Sequence, residues 1–178
     1  MLYPLLALQA QRSMFNLGDR VISLGLGIGN TLYTGGRGYS TMVPPLSVSF
    51  EQAIAEDIFR KGALGLMGSI GFTSYSFRYM VDPYDFGWDY HNIILGAGSL
   101  FHYPLLERLD TYVGALLGYN FTTIAESGDT GDNDPDSAGG FLIAAFLGGR
   151  YYFTDQVSAF ARIGYGVAYL IIGVSYRL

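Results

Sequence analysis

Five charged residues sit in segments whose neighbours are mostly apolar. They are Glu51, Asp110, Arg150, Arg162 and Arg177. Because side chains alternate across a β-strand, four of these charges share their face with glycine, serine or other polar residues, opposite a mostly apolar face. The segment around Arg150 is apolar on both faces, and we favour an inward Arg150. Charges that leave water have to be paired. The pattern therefore predicts an internal ionic network, which either plugs the interior or, if its pairs rearrange, gates a path through it.

A second group of acidic residues lies in the stretch E-S-G-D-T-G-D-N-D-P-D, which begins at Glu126. Its carboxylates Asp129, Asp132, Asp134 and Asp136 could be presented to a hard cation such as Ca²⁺, which takes about six to eight oxygen ligands. The stretch lacks the glycine and the distal glutamate of an EF-hand. We therefore expect a solvated loop, with calcium binding as an alternative, and no other cofactor.

The two histidines of the chain, His91 and His102, are the available general bases. His102 falls on the polar face of its segment and is expected to be a hydrogen-bonded interior residue. A nucleophile and its base must lie within hydrogen-bond reach, and Ser99 is too far along the same strand from His91. Pairing of His91 with Ser74 or Ser76 across strands stays open. No Gly-x-Ser-x-Gly elbow or phosphate loop is present, so we expect no enzymatic activity.

Composition limits the class of protein. Apolar residues make up 50% of the chain, aromatic residues 16% and charged residues only 14%. No apolar run approaches the roughly 18 residues that a membrane-spanning helix requires. The net charge of −5, with Lys61 as the only lysine, argues against a nucleic-acid partner. The absence of cysteine excludes disulfides, thiolate metal sites and a cysteine nucleophile.

Hydrophobic alternation predicts eight strands of about the length that a tilted membrane strand needs. They cover residues 19–34, 46–54, 63–77, 90–103, 110–121, 141–153, 157–167 and 170–178. Long connections follow strands one, three and five, and short ones follow two, four and six, which is typical of outer-membrane barrels. The last strand has one fully apolar face and needs a partner on both edges, so we expect it to close the sheet against the first.

The predicted fold is therefore all-β, an eight-stranded antiparallel up-and-down transmembrane β-barrel covering residues 12–178. Residues 1–11 read as an apolar run that ends in a small-residue site and are expected to be the remnant of a secretory signal. The interior of an eight-stranded barrel is just wide enough to be filled by side chains, so we expect no open pore.

Four segments carry a resemblance to a known group of proteins. They are P-P-L-S-V-S-F-E (44–51), L-D-T-Y-V-G-A-L-L-G-Y-N (109–120), G-G-R-Y-Y-F-T-D (148–155) and I-G-Y-G-V-A-Y-L-I-I-G-V-S-Y-R-L (163–178). In this order they resemble the small eight-stranded outer-membrane barrels described as a porin family in Bacteroidetes-type bacteria. Where such a barrel is expected to carry an acidic residue on strand seven, this chain has Arg162.

The resemblance implies residence in the outer membrane of a Gram-negative bacterium and insertion by the barrel assembly machinery. It also implies contact with outer-membrane lipid and lipopolysaccharide, and it leaves room for an unidentified protein partner at the surface. It says little about activity.

Three functions are compatible with these patterns. The first is a structural or surface-interaction role through the external loops. The second is passage of small, apolar solutes through the barrel or laterally out of it, with Pro44, Pro45 and the short last connection as marks of an opening. The third is a soluble ligand-binding barrel of lipocalin type, which would need the opposite arrangement, with polar residues outside and an apolar lumen.

Overall fold

The computed structural model describes residues 14–29, 31–32, 38–81, 84–128 and 139–178. The signal remnant predicted at 1–11 and the acidic residues Asp129, Asp132, Asp134 and Asp136 lie outside these ranges. No helix in the described ranges is long and apolar enough to cross a membrane.

Eight antiparallel strands form one closed barrel in sequence order. They are β1 (Arg20–Ile28), β2 (Tyr39–Ile58), β3 (Gly62–Val81), β4 (Tyr84–Leu106), β5 (Leu109–Gly128), β6 (Gly140–Tyr152), β7 (Val157–Tyr165) and β8 (Leu170–Arg177). The register of the closing pair runs from Val21 opposite Arg177 to Ile28 opposite Leu170. The predicted eight-stranded meander is confirmed, including closure of the last strand on the first.

The barrel wall is uneven in height. Strands β2 to β5 contain 20, 20, 23 and 20 residues, whereas β1, β6, β7 and β8 contain 9, 13, 9 and 8. Since all the long strands are neighbours, one side of the barrel rises well above the other at the end opposite the short β2–β3, β4–β5 and β6–β7 turns. We call this side the tall wall.

Several connections predicted as loops or turns are largely strand, which corrects the sequence-based boundaries. The described parts of 34–43, 79–89, 124–140 and 55–62 extend β2, β3, β4 and β5. Pro44 and Pro45 lie inside β2, where the register with β3 shifts between Val43 and Leu46. Apolar alternation marks only the part of a strand that faces an apolar medium, so the continuing ladder beyond it carries no such signal.

The outer face of the barrel is an apolar belt bounded by aromatic residues at both ends. At one end Tyr119 packs on Phe121 and Phe141, with ring centroids 4.7 and 5.1 Å apart. At the other end Tyr151 packs on Phe153 at 5.5 Å. Phe141 and Tyr151 lie ten residues apart on β6, which corresponds to roughly 26 Å of height for a tilted strand. That height matches the apolar band of transmembrane barrels, about 25 Å.

The inner face is narrow enough that glycine is required at several positions. A Cβ added at Gly98 would lie 2.0 Å from the carbonyl oxygen of Ala115, and one at Gly173 would lie 2.0 Å from that of Leu24. Neighbouring strands therefore approach each other too closely there for a side chain. The outward-facing Gly68 has nothing within 4 Å of its added Cβ.

A matched pair of substitutions tests this crowding. Gly98→Ala is expected to lower the free energy of unfolding by about 1–3 kcal/mol, because backbone atoms have to move. Gly68→Ala, on the same barrel but on its outer face, is expected to change it by less than about 0.5 kcal/mol. Urea unfolding of the barrel in lipid vesicles measures both. Equal effects at the two positions would contradict the described inner packing.

Candidate functional site

Four buried ionisable side chains meet inside the barrel near its short-turn end. Glu51 comes from β2, His102 from β4, Asp110 from β5 and Arg150 from β6. Each is only 1–3% exposed. All four point inward because each lies on the face of its strand opposite the residues that form the apolar belt.

The four side chains form a closed cycle of contacts, which we call the ionic ring. His102 Nε2 lies 2.5 Å from Glu51 Oε1, and His102 Nδ1 lies 2.9 Å from Asp110 Oδ2. Arg150 donates to Glu51 Oε2 at 2.8 Å and to Asp110 Oδ2 at 3.4 Å. Every carboxylate therefore contacts two donors, and every donor group contacts two carboxylates.

The geometry of the ring requires a balanced set of charges. An ionised carboxylate only accepts hydrogen bonds, so a histidine ring placed between two carboxylates donates from both nitrogens and is an imidazolium. The ring then holds two negative and two positive charges. Because removal of any one member leaves an unpaired charge in a buried site, the ring is expected to tolerate loss of a single partner poorly.

Residues before β1 cover the ionic ring from the short-turn end. Phe15 is fully buried and stacks on His102, with ring centroids 4.1 Å apart. It packs in a cluster with Val21, Ala53 and Ala63. The N-terminal segment is held in place at the rim, where Leu17 N–H donates to Glu56 at 2.9 Å. The lumen at this end is thus filled by the ring and by the Phe15 side chain beneath it.

The structure brings together three of the five residues predicted for the internal network, namely Glu51, Asp110 and Arg150. His102, predicted as a separate hydrogen-bonded interior residue, completes the ring. The inward position of His102 was the signal available in the sequence.

Arg177 and Arg162 do not belong to the network, which corrects that part of the prediction. Arg177 lies at the rim, where it donates to the carbonyl of Met14 and covers the ring of Tyr152 at 4.5 Å. Arg162 lies higher in the lumen, and among the described residues it forms no ion pair. Within the described ranges no group of three or more acidic or histidine side chains is placed to hold a metal ion.

A cavity of about 60 Å³ lies on the other side of the ring, in the upper lumen. Its lining is mainly apolar and includes Ile94, Leu116, Ala144 and Ile171, with Arg162 as its charged member. The cavity reaches Val167 and Ala168 in the β7–β8 connection, on the low side of the barrel. It is separated from the short-turn end by the ionic ring.

Polar side chains also line up on the outer face of the tall wall, just above the apolar belt. Ser74 Oγ lies 2.9 Å from His91 Nδ1, so the cross-strand pairing left open by the sequence is present. Ser74 is 1% exposed, and no carboxylate among the described residues hydrogen-bonds to His91. Among the described residues the pair therefore has no orienting acid, and Ser74 lacks the access that a serine nucleophile needs. Nearby, the hydrogen bond from Arg78 lowers the pKa of Asp89.

Comparison with known proteins identifies the fold. No family model and no curated protein matches the chain. Among solved structures, it is similar to Ail, the attachment invasion locus protein of Yersinia pestis, crystallised with the heparin analogue sucrose octasulfate. The TM-score is 0.53 and the identity 16%, over 90% of this chain and 97% of Ail. It is also similar to the outer membrane protein OprG of Pseudomonas aeruginosa, with a TM-score of 0.58 and 12% identity, over 94% and 99% of the two chains.

These similarities show the fold alone, because the identities are low. The chain has the fold of the small eight-stranded outer-membrane β-barrels, as its sequence predicted.

A double-mutant cycle tests the closed ring. Glu51→Gln and Arg150→Met are each expected to lower the free energy of unfolding by about 3–5 kcal/mol, because each leaves a buried charge without its partner. The double variant keeps the His102–Asp110 ion pair, whose two charges balance. Its loss of unfolding free energy should therefore be smaller than the sum of the two single losses by about 0.5–3 kcal/mol.

The control is the partly exposed pair Arg78–Asp89, whose side chains are 34% and 21% exposed. Asp89→Asn is expected to change the free energy of unfolding by less than about 1 kcal/mol. Strictly additive losses for Glu51 and Arg150 in the same urea titration would show that the two side chains are not coupled.

Proposed function

We propose that this protein is an integral barrel of the outer membrane of a Gram-negative bacterium, closed to solutes, that acts at the cell surface through its tall wall. The observation that carries the proposal is a lumen closed by the ionic ring and Phe15, inside an apolar belt of membrane height. Such a barrel separates two tasks: the belt anchors the protein in lipid, and the strands above the belt are free to meet partners.

The filled lumen supports the closed state. The ionic ring draws one side chain from each of four strands, and Phe15 fills the space below it. A solute would have to separate at least two buried, charge-assisted contacts to pass, which are among the stronger interactions in a protein. A general diffusion pore is therefore disfavoured.

The tall wall supports the surface role because its strands stay paired well above the belt. On its inner side Phe77 stacks on Trp88 at 5.8 Å, and Tyr39 packs against Phe77 and Tyr90 at 5.0 and 5.9 Å. Packed aromatic side chains stiffen these hairpins beyond what an isolated two-stranded ribbon achieves. A rigid platform loses little conformational entropy when a partner binds.

The similarity to Ail is compatible with a surface role, but its sulfated ligand is not carried over, because this chain is acidic with a net charge of −5. The partners we propose are outer-membrane lipid and lipopolysaccharide around the belt, the barrel assembly machinery during insertion, and a surface protein yet to be identified. Nucleic acid is not among them. Calcium binding at Asp129, Asp132, Asp134 and Asp136 stays a prediction.

A second candidate function, lateral passage of a small apolar solute, is favoured by the apolar cavity beside the low side of the wall. Because the ionic ring closes the lumen below, the route would have to leave sideways near the β7–β8 connection. Lateral passage predicts uptake of a labelled hydrophobic solute into proteoliposomes. Uptake equal to that of empty vesicles would rule out this function.

Single-cysteine labelling tests the proposed placement. Because the chain contains no cysteine, any label attaches to the introduced thiol. Ser127→Cys puts the thiol near the top of β5, and Asp155→Cys puts it in the exposed β6–β7 turn. In intact Gram-negative cells a membrane-impermeant maleimide is expected to label the first variant and not the second. After cell lysis both are expected to react.

Two outcomes would overturn the placement. Labelling of Asp155→Cys but not of Ser127→Cys in intact cells would mean that the tall wall faces the periplasm. Labelling of neither variant before lysis and of both after it would mean that the tall wall is not at the cell surface.

A further inference from the structure

Arg162 is a buried cation to which the described part of the chain supplies no anion. Its side chain is 8% exposed and points from β7 into the upper lumen. No carboxylate of the described residues lies within 4.0 Å of its guanidinium, and its buried Nε has no hydrogen-bond partner among them. Its one directed contact is from Nη1 to the sulfur of Met67 at 3.9 Å.

The acids nearest in the lumen are already in use. Glu51 and Asp110 belong to the ionic ring, whose charges balance without Arg162. The guanidinium instead lies over the rings of Phe146 at 5.1 Å and Phe160 at 5.6 Å. Aromatic faces attract a cation, but they accept no directed hydrogen bonds in the plane of the guanidinium. The guanidinium of Arg162 is therefore held in place, and its Nε–H has no acceptor among the described residues.

The space beside Arg162 has a definite size and character. The cavity measures about 60 Å³, which is more than a single water molecule needs. Apart from Arg162 it is lined mainly by apolar side chains, with Ser47 and Ser69 as minor polar members. A site of this kind fits a molecule that is anionic at one end and apolar at the other.

The shape of the rim lets such a molecule be longer than the cavity. The lining extends to Gly164, Val167 and Ala168, at the point where β7 ends and before β8 begins. This is the low side of the barrel, opposite the tall wall. A chain bound at Arg162 can therefore continue past the β7–β8 connection.

We propose that the upper lumen binds a short-chain alkyl carboxylate, with its carboxylate on the Arg162 guanidinium and its first carbons against Ile94, Leu116 and Ile171. A planar carboxylate matches the fork of a guanidinium in a bidentate contact. The inference does not depend on the proposed function, since it concerns the isolated barrel and not its placement or its surface partners.

The test follows Arg162 directly by NMR of ¹⁵N-arginine-labelled protein in lipid nanodiscs. Its Nε–H signal is identified by its loss in Arg162→Met and is titrated with formate, acetate and propanoate at constant ionic strength. Saturable shifts are expected, with affinity rising roughly fourfold for each buried methylene that is added. Propan-1-ol, which has the chain without the charge, is expected to cause no saturable shift.

A cavity-filling variant separates binding from folding. Gly71 lines the cavity, and a Cβ there would meet Ile94 and Leu46 only at ordinary contact distances of 3.5–3.6 Å. Gly71→Val therefore adds bulk to the cavity and keeps Arg162 in the chain. It is expected to abolish the propanoate shift while the barrel still migrates as a folded species when unboiled. Gly68→Val, on the outer face of the same strand, is expected to bind propanoate like the unmodified chain.

Three results would overturn the proposal. No shift with any carboxylate would mean that Arg162 is satisfied by water alone. Equal affinity for chloride, formate and propanoate would mean an adventitious ion only. Unchanged propanoate binding in Gly71→Val would place the ligand outside the cavity.

Discussion

The four charges of the ionic ring leave water inside this barrel by closing on one another, with one side chain from each of four strands. The consequence reaches beyond the ring itself. A slip of one residue in any of those strands would turn its charge from the lumen to the apolar belt. Glu51, His102, Asp110 and Arg150 therefore specify the registers of β2, β4, β5 and β6 together with the position of the Phe15 side chain beneath them.

The ring divides the lumen into two parts with different properties. Below it, the N-terminal segment and Phe15 fill the space at the short-turn end. Above it, an apolar cavity is lined by Arg162, which no acid among the described residues neutralises. Above the belt, the tall wall rises on one side only. One arrangement of strands of unequal length thus produces three features: the closed short-turn end, the small cavity above the ring and the tall wall.

Alternation of apolar residues was enough to predict the number of strands, their order and the closure. It left the direction of Arg150 ambiguous, because the segment 141–153 is apolar on both faces. It could not predict where the strands end, since residues such as Trp88 and Tyr39 lie above the belt, where no apolar medium enforces the alternation. Nor could it say which inward charges meet. Arg150 and Arg162 share a polar face pattern, but they lie at different heights, and height depends on the tilt and stagger of all eight strands.

The most direct test of the closed lumen is the release of a trapped small ion from proteoliposomes. Migration of the unboiled protein on a gel, taken from the same vesicles, establishes that the barrel is inserted and folded. The closed ring predicts release no faster than from vesicles without protein. Faster release from vesicles in which the barrel is fully folded would mean that the ionic ring and Phe15 leave an open path, and the account of a closed barrel would be wrong.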